Sequence, residues 1–485
     1  MFSRIAEFHD WFEQEHTAHS FRVTVAPLDS LEGWSIDPET SAITHRSGKF
    51  FTIDGLEVQT NHGLVESWSQ PIIDQPESGI LGILVRRFGG VPHFLMQAKM
   101  EPGNINLLQL SPTVQATKSN YTRVHGGRSV PYLEYFMAPR RSRVLSDVLQ
   151  SEQGAWFLHK RNRNMIIEVT EDVPLRPGFC WLTRDQLGAL LKVDNLVNMD
   201  SRTVLAGYPF SEHDGSPERP VSARDGGFHQ LLAGYEGRPV TMSHRDIAEP
   251  LSWFTEVKTR YDLRRRRVPL NQVKNWICGP DRITHELGRY FSVIGVHVEA
   301  GSREVSRWSQ PLLAPVGQGV VAFLLRRHRG EHQLLVQART QAGTFDVVEM
   351  APTVQCSPDN YRGLPEHRRP PFLDHVLAAP RRRIRFDVVH SEEGGRFYHA
   401  TNRYLIVEVD DDFPTVDRPD FTWMTIPQLA ELARYGNYVN VEARNLLACL
   451  RFHSEPSEDG EGAGVDPHTE RVTHANDHAG LGLST

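Results

Sequence analysis

Short apolar runs, rather than long amphipathic ones, set the pattern of the chain. Ile80 to Arg87 and Phe94 to Lys99 are such runs, and Gly89 and Gly90 between them suit a tight reversal, so the pair predicts a β-hairpin. Val320 to Arg327 and Leu334 to Arg339 repeat it, and Met165 to Val169 and Leu405 to Val409 read as further strands. Helical signals are fewer. Thr183 stands as an N-cap before RDQLGALL and Thr425 before IPQLAELARYG, where Gly436 is expected to end the helix. SRTVLAGY and EARNLLACL read as closing amphipathic helices. Strands and helices in this mixed order predict an α+β fold, not a doubly wound parallel sheet.

Each of these elements occurs twice. WSQP at 68–71 recurs at 308–311, GILGILVRRFGG (79–90) answers GVVAFLLRRHRG (319–330), and SPTVQATKSNY (111–121) answers APTVQCSPDNY (351–361). Further on, APRR, SEQG/SEEG, NRNMIIEV/NRYLIVEV and LVNMDSR/YVNVEAR keep the same order, so the chain is a tandem duplication with an offset of about 240 residues. The expected division is a first repeat over 1–210, a linker over 211–245 rich in Gly, Ser, Pro and charge, a second repeat over 246–453, and a tail over 454–485. With almost no large apolar side chains, the tail is expected to be disordered.

Composition narrows the class. The 485 residues exceed one core, and 39% hydrophobic with 23% charged residues is ordinary for a globular protein. A net charge of -7 gives no general pull toward nucleic acid or acidic membrane, which leaves small molecules or protein as partners. Four cysteines without a CxxC pair suggest neither a disulfide framework nor a zinc site. The acidic start and the lack of a long apolar stretch predict a cytoplasmic protein. No GxGxxG opening a helix, GxxxxGK[ST], HExxH or GxSxG occurs, so the expected chemistry needs no cofactor and no resident metal.

One polar string resists a plain structural explanation: QAKMEPGNINLLQLSPTVQATKSNYTRVHGG, residues 97–127. Leaving a predicted strand that carries Gln97, itself a binding candidate, the residues Lys99, Glu101, Asn104, Gln109, Gln115, Asn120, Tyr121, Arg123 and His125 offer the donors and acceptors that a polyhydroxylated ligand needs. This string, with SEQGAWF (151–157), NRNM (162–165), PTVQCSPDNY (352–361) and SEEGGRFYHATNRYLIVEV (391–409), resembles the NDP-hexose 2,3-dehydratases of deoxysugar biosynthesis over residues 5–453.

The resemblance implies two Nudix-like domains in one subunit, a homodimer, and a substrate such as dTDP-4-keto-6-deoxyglucose. No Nudix box, GX5EX7REUXEEXGU, is present in either half, which argues against pyrophosphate hydrolysis. The reaction would remove water between C2 and C3, and the enol would tautomerise to a 3,4-diketo-2,6-dideoxy sugar for a separate 3-ketoreductase. Such an elimination needs a base, for which Glu101 and His125 are the candidates, and a donor to the leaving oxygen, for which Tyr121 is the candidate. It also needs support for the C4 oxygen, for which Lys99 and Asn104 are the candidates.

Diphosphate binding is expected from Arg123, Arg128, Arg140 and Arg141, or from the turns Ser151, Glu152, Gln153, Gly154 and Ser391, Glu392, Glu393, Gly394, and Arg382 in the recurring APRR is a further substrate-binding candidate. Trp68 and Trp308 are candidates for stacking, and Gln355, Tyr361 and Asn402 for binding in the second copy. Lys99, Glu101 and Asn104 face Arg339, Gln341 and Thr344, so the first repeat is expected to react and the second to bind nucleotide sugar or to be vestigial. The reverse assignment stays open, as do a non-catalytic sugar-nucleotide sensor and a nucleotide-diphosphate hydrolase.

Overall fold

The computed structural model describes residues 1–118, 129–137, 142–209, 244–301, 305–410 and 413–452; most of the expected linker and the whole expected tail lie outside them. The predicted hairpin forms from Ile80–Phe88 and Val91–Met100, with Leu84 opposite Leu95 and positive φ at both Gly89 and Gly90. Its counterpart, Gly319–His328 with Glu331–Arg339, turns instead through Arg329 and Gly330.

Each hairpin is the centre of a seven-stranded mixed sheet. In the first, Ile80–Phe88 runs parallel to Arg161–Val169, which pairs with Arg143–Ser151, while Phe179–Thr183 lies on the outer side of Val91–Met100. Leu108–Pro112 and Val114–Ala116 complete it. The second sheet repeats every one of these pairings, including the register shift in its outer strand, between Val144 and Ser146 here and Ile384 and Phe386 there. The fold is therefore α+β, with two repeated regions. Two further five-stranded sheets are mixed in ancestry. Phe21–Ala26, from the first repeat, pairs with Phe291–Ala300 of the second, and Leu263–Val268 of the second pairs with Thr52–Thr60 of the first. Each repeat thus completes the other's sheet, and Met1–Ser454 form one compact unit.

Both predicted caps are present as full capping boxes, Thr183 with Gln186 and Thr425 with Gln428. The second helix spans Ile426–Leu432 and so stops short of Gly436. That glycine answers to another constraint, since a Cβ there would overlap the Leu149 carbonyl of the first repeat, and positive φ falls on Asn437. The closing helices, Met199–Leu205 and Val441–Arg451, depart further from expectation. Neither is amphipathic in place; every residue of both is buried, and the two pack together at the centre. Their charged side chains serve the seam between the repeats: the Arg202 guanidinium donates to Ser391 O at 2.5 Å, and that of Arg444 to Ser151 O at 2.5 Å. All four cysteines are free, and no helix among the described residues is long and apolar enough to cross a membrane.

Candidate functional site

Where the strand Val91–Met100 ends, Glu101–Asn104 turn back and meet the other repeat. Gly103 N donates to Gly394 O at 2.8 Å, and His399 N donates to Gly103 O at 2.7 Å. The approach is so close that a Cβ on Gly103 would overlap Phe397 O and lie 2.7 Å from Gly394 O. The repeat-related junction is built alike: Gly343 N donates to Gly154 O at 2.6 Å, and His159 N to Gly343 O at 2.8 Å. EPGN therefore interlocks with SEEGGRF, and QAGT with SEQGAWF.

A cavity of about 490 Å³ opens at the first junction, lined from both repeats. The first repeat supplies Lys99, Glu101, Gln115, Lys160, Asn162 and Asp200; the second supplies Trp308, Gln310, Glu393 and Arg396. Trp34, His45, Arg46 and Phe51, from the exchanged sheets, line it too. Glu101 is held from two sides. Its Oε1 accepts from Gln115 Nε2 at 2.8 Å and lies 3.5 Å from Lys99 Nζ. Gln115 Oε1 in turn accepts from Asn198, the N-cap of the buried helix Met199–Leu205, so the helix start fixes the amide that orients the carboxylate.

Glu393 comes from the facing turn. Its carboxylate and that of Glu101 both border the bare α-carbon of Gly395, where an added Cβ would stand 3.4 and 3.8 Å from their respective Oε1 atoms. Glu393 Oε2 is buried with no hydrogen-bond partner among the described residues, as is Asp200 Oδ1. Burial raises the pKa of Glu393, an effect that Glu101 reinforces and Arg396 opposes. Asp200 is pushed well above the usual carboxylate range by burial and by Glu393, Glu152 and Glu101. Glu152 is pushed up to about 7 by burial and by Glu393, while burial lowers Lys160 to about 8 against the pull of Glu393 and Glu152.

The walls are aromatic and cationic. Trp308 donates to Gln310 Oε1 at 2.8 Å, and Gln310 to Gly395 O at 2.8 Å, which ties the indole to the turn that carries Glu393. Trp34 donates to Ser309 O at 2.7 Å. Arg396 lies 4.4 Å over the Phe51 ring and donates to Gln75 Oε1 at 3.0 Å.

Of the residues expected from sequence, Lys99, Glu101, Gln115, Trp308 and Glu393 meet in this cavity. Others stand behind it. Asn104 donates to Leu107 O and packs on Gly394, so its amide holds the turn. Glu152 accepts from Asn162, Gln153 donates to Glu392, and Glu392 also accepts from Asn402 and Tyr404. Ser391 accepts from Gln109, Gln355 accepts from Asn440, and Gly154 packs against Gln341 and Thr344. Ser151 contributes its carbonyl to Arg444.

Gln97 lies mid-strand between Ser111 and Phe179, and the Trp68 indole donates to Gln70 beside Leu56 and Val58. Tyr361 sits in a short 3-10 turn, and Arg382 is exposed on another. Asn120, Tyr121, Arg123, His125, Arg128, Arg140 and Arg141 lie outside the described residues. Sequence reasoning passed over Asp200, Lys160 and Arg396. All three fall in or beside matched strings, and Arg396 lies inside SEEGGRF.

Comparison with known proteins agrees with this architecture. A family model described as NDP-hexose 2,3-dehydratase matches residues 5–208 and again 247–450. The chain is 54% identical over 450 residues to a dTDP-4-dehydro-6-deoxy-alpha-D-glucopyranose 2,3-dehydratase from Streptomyces violaceoruber, covering 92% of this chain and 97% of that one. Proteins of the same name from Saccharopolyspora spinosa and Amycolatopsis orientalis are 50% and 48% identical, over 92% of this chain and 90% of each. With its sequence matched twice over nearly its whole length, this chain belongs to the NDP-hexose 2,3-dehydratase family.

Proposed function

We propose that this protein removes water across C2 and C3 of an NDP-4-keto-6-deoxyhexose, with dTDP-4-keto-6-deoxyglucose as substrate, in deoxysugar biosynthesis. The observation that carries the assignment of the site is the cavity at the first junction, where Glu101 is held by Lys99 and Gln115 and faced by groups from the second repeat.

The C4 ketone acidifies the hydrogen on C3, and Glu101 is the base that takes it. Lys99 Nζ, 3.5 Å from Glu101 Oε1, supports the negative charge that grows on the C4 oxygen. Loss of the C2 hydroxyl then gives an enol that tautomerises to the 3,4-diketo-2,6-dideoxy sugar. Such a vicinal diketone is reactive, which favours capture by a partner 3-ketoreductase. Arg396, Arg46 and Arg307 supply cations for the diphosphate, and Trp34 and Trp308 supply flat apolar faces for the nucleobase or sugar. We also read each seven-stranded mixed sheet with its helices as Nudix-like, and the subunit as part of a homodimer.

The assay is NADPH consumption on dTDP-4-keto-6-deoxyglucose with a 3-ketoreductase. The wild-type protein is expected to exceed the reductase-only control, and Glu101→Gln to turn over at least about 100-fold more slowly. No consumption above the control would sink the dehydratase reading. Wild-type turnover in Glu101→Gln would sink the base assignment and return it to His125, for which His125→Asn is the parallel variant.

A further inference from the structure

The elimination requires an acid for the departing C2 hydroxyl, and the second repeat carries a group placed for it. We infer that Glu393 protonates the leaving oxygen, so that base and acid form a pair assembled from the two repeats. This rests on the dehydratase reading above and extends it to a residue of the facing turn.

Geometry is the first support. Glu101 and Glu393 reach the same cavity from opposite sides of the junction and both border Gly395. Glu101 is already engaged by an amide and an ammonium group, whereas Glu393 Oε2 is buried without a partner among the described residues. A carboxyl so placed is suited to hold a proton and to point it at a ligand oxygen. Burial raises its pKa in the same direction.

The internal repeat supplies an independent argument. Glu101 corresponds to Gln341, and Glu393 to Gln153. Because each junction joins a turn from one repeat to a turn from the other, both carboxylates fall at the first junction and both amides at the second. Two positions in different repeats have thus changed together by site rather than by repeat. Packing alone would not require this, since Gln153 is accommodated in its turn by a 2.8 Å bond to Glu392. Of the two other carboxyls lining the cavity, Glu32 is exposed, and Asp200 does not follow the rule because its counterpart Glu442 is also acidic. That singles out Glu393.

The proton count closes. Glu101 takes the C3 proton as the C4 enolate forms; the electron pair then makes the C2–C3 double bond, and the C2–O bond breaks. The leaving oxygen takes the Glu393 proton and departs as water. The resulting enol loses its C3 hydroxyl proton to Glu393 and gains one at C2 from Glu101, which restores both side chains.

The test separates the two steps by following exchange of the substrate C3 hydrogen in D2O by NMR, alongside turnover. Glu393→Gln is expected to lose dehydration by about 100-fold or more while still exchanging C3 hydrogen, whereas Glu101→Gln loses both. The 2-deoxy-2-fluoro analogue of the substrate gives a second readout, because fluoride departs without needing a full proton. Glu393→Gln is expected to release fluoride within about threefold of the wild-type rate. Near-wild-type dehydration in Glu393→Gln, or joint loss of exchange and fluoride release, would overturn the acid assignment. Exchange surviving in Glu101→Gln would overturn the base assignment alone.

Discussion

Glu442 occupies in the second repeat the place that Asp200 holds in the first, on the opening turn of a buried helix, and burial with help from Glu392 pushes its carboxyl up to about 8. The folded chain then binds that proton more tightly than the unfolded chain, whose carboxyl titrates near the ordinary glutamate value of 4.5. Its contribution to stability is full below about pH 4.5 and is lost as pH rises through about 8. Glu442→Gln removes the liability, so the variant is expected to be more stable than wild type above about pH 8, by on the order of a few kcal/mol at most. The advantage should fade toward pH 4.5. Denaturant melts across this range check it, and a difference that does not vary with pH would refute the linkage. This residue also marks a limit of what the sequence reveals. Lys99, Glu101 and Gln115 were legible because they cluster in one polar string, but Asp200, Lys160 and Arg396 stand singly outside it. Part of their surroundings, Glu393 for Asp200 and Lys160 and Phe51 for Arg396, comes from the other repeat, which no local pattern encodes.

Elements show the same division between local and remote causes. The two hairpins and both N-caps were legible because turn glycines and a Thr at a helix start act on their own neighbours. Thr425→Ala removes the acceptor for Gln428 N and is expected to cost about 1 kcal/mol, read as a lower urea midpoint with activity retained. An unshifted midpoint would mean that packing of the helix Ile426–Leu432, rather than its cap, fixes it. The closing helices were misread for the opposite reason. Arg202 and Arg444 suggested a wet face, yet their guanidinium groups satisfy carbonyls across the seam, a buried role that polarity alone does not disclose. Gly436 likewise looked like a helix stop, whereas the Leu149 carbonyl of the other repeat is what requires it.

At the scale of the whole molecule, the duplication has become a single working unit rather than an active domain with a passenger. Phe21–Ala26 and Leu263–Val268 are exchanged, each finishing a sheet of the other repeat, and the cavity draws Glu101 from one side and Glu393 from the other. A lone repeat would expose unpaired strand edges and offer only half of the cavity lining. The covalent connection between the repeats, by contrast, contributes mainly effective concentration. Cutting the chain between Gly226 and Gly227 should therefore leave two fragments, each inactive alone. Co-expressed, they should purify together in equal amounts and recover turnover, because the exchanged strands and the interlocked turns at Gly103 and Gly343 re-form from separate chains. Turnover by the first fragment alone would show that the site does not need the second repeat, and would count equally against Glu393 as its acid.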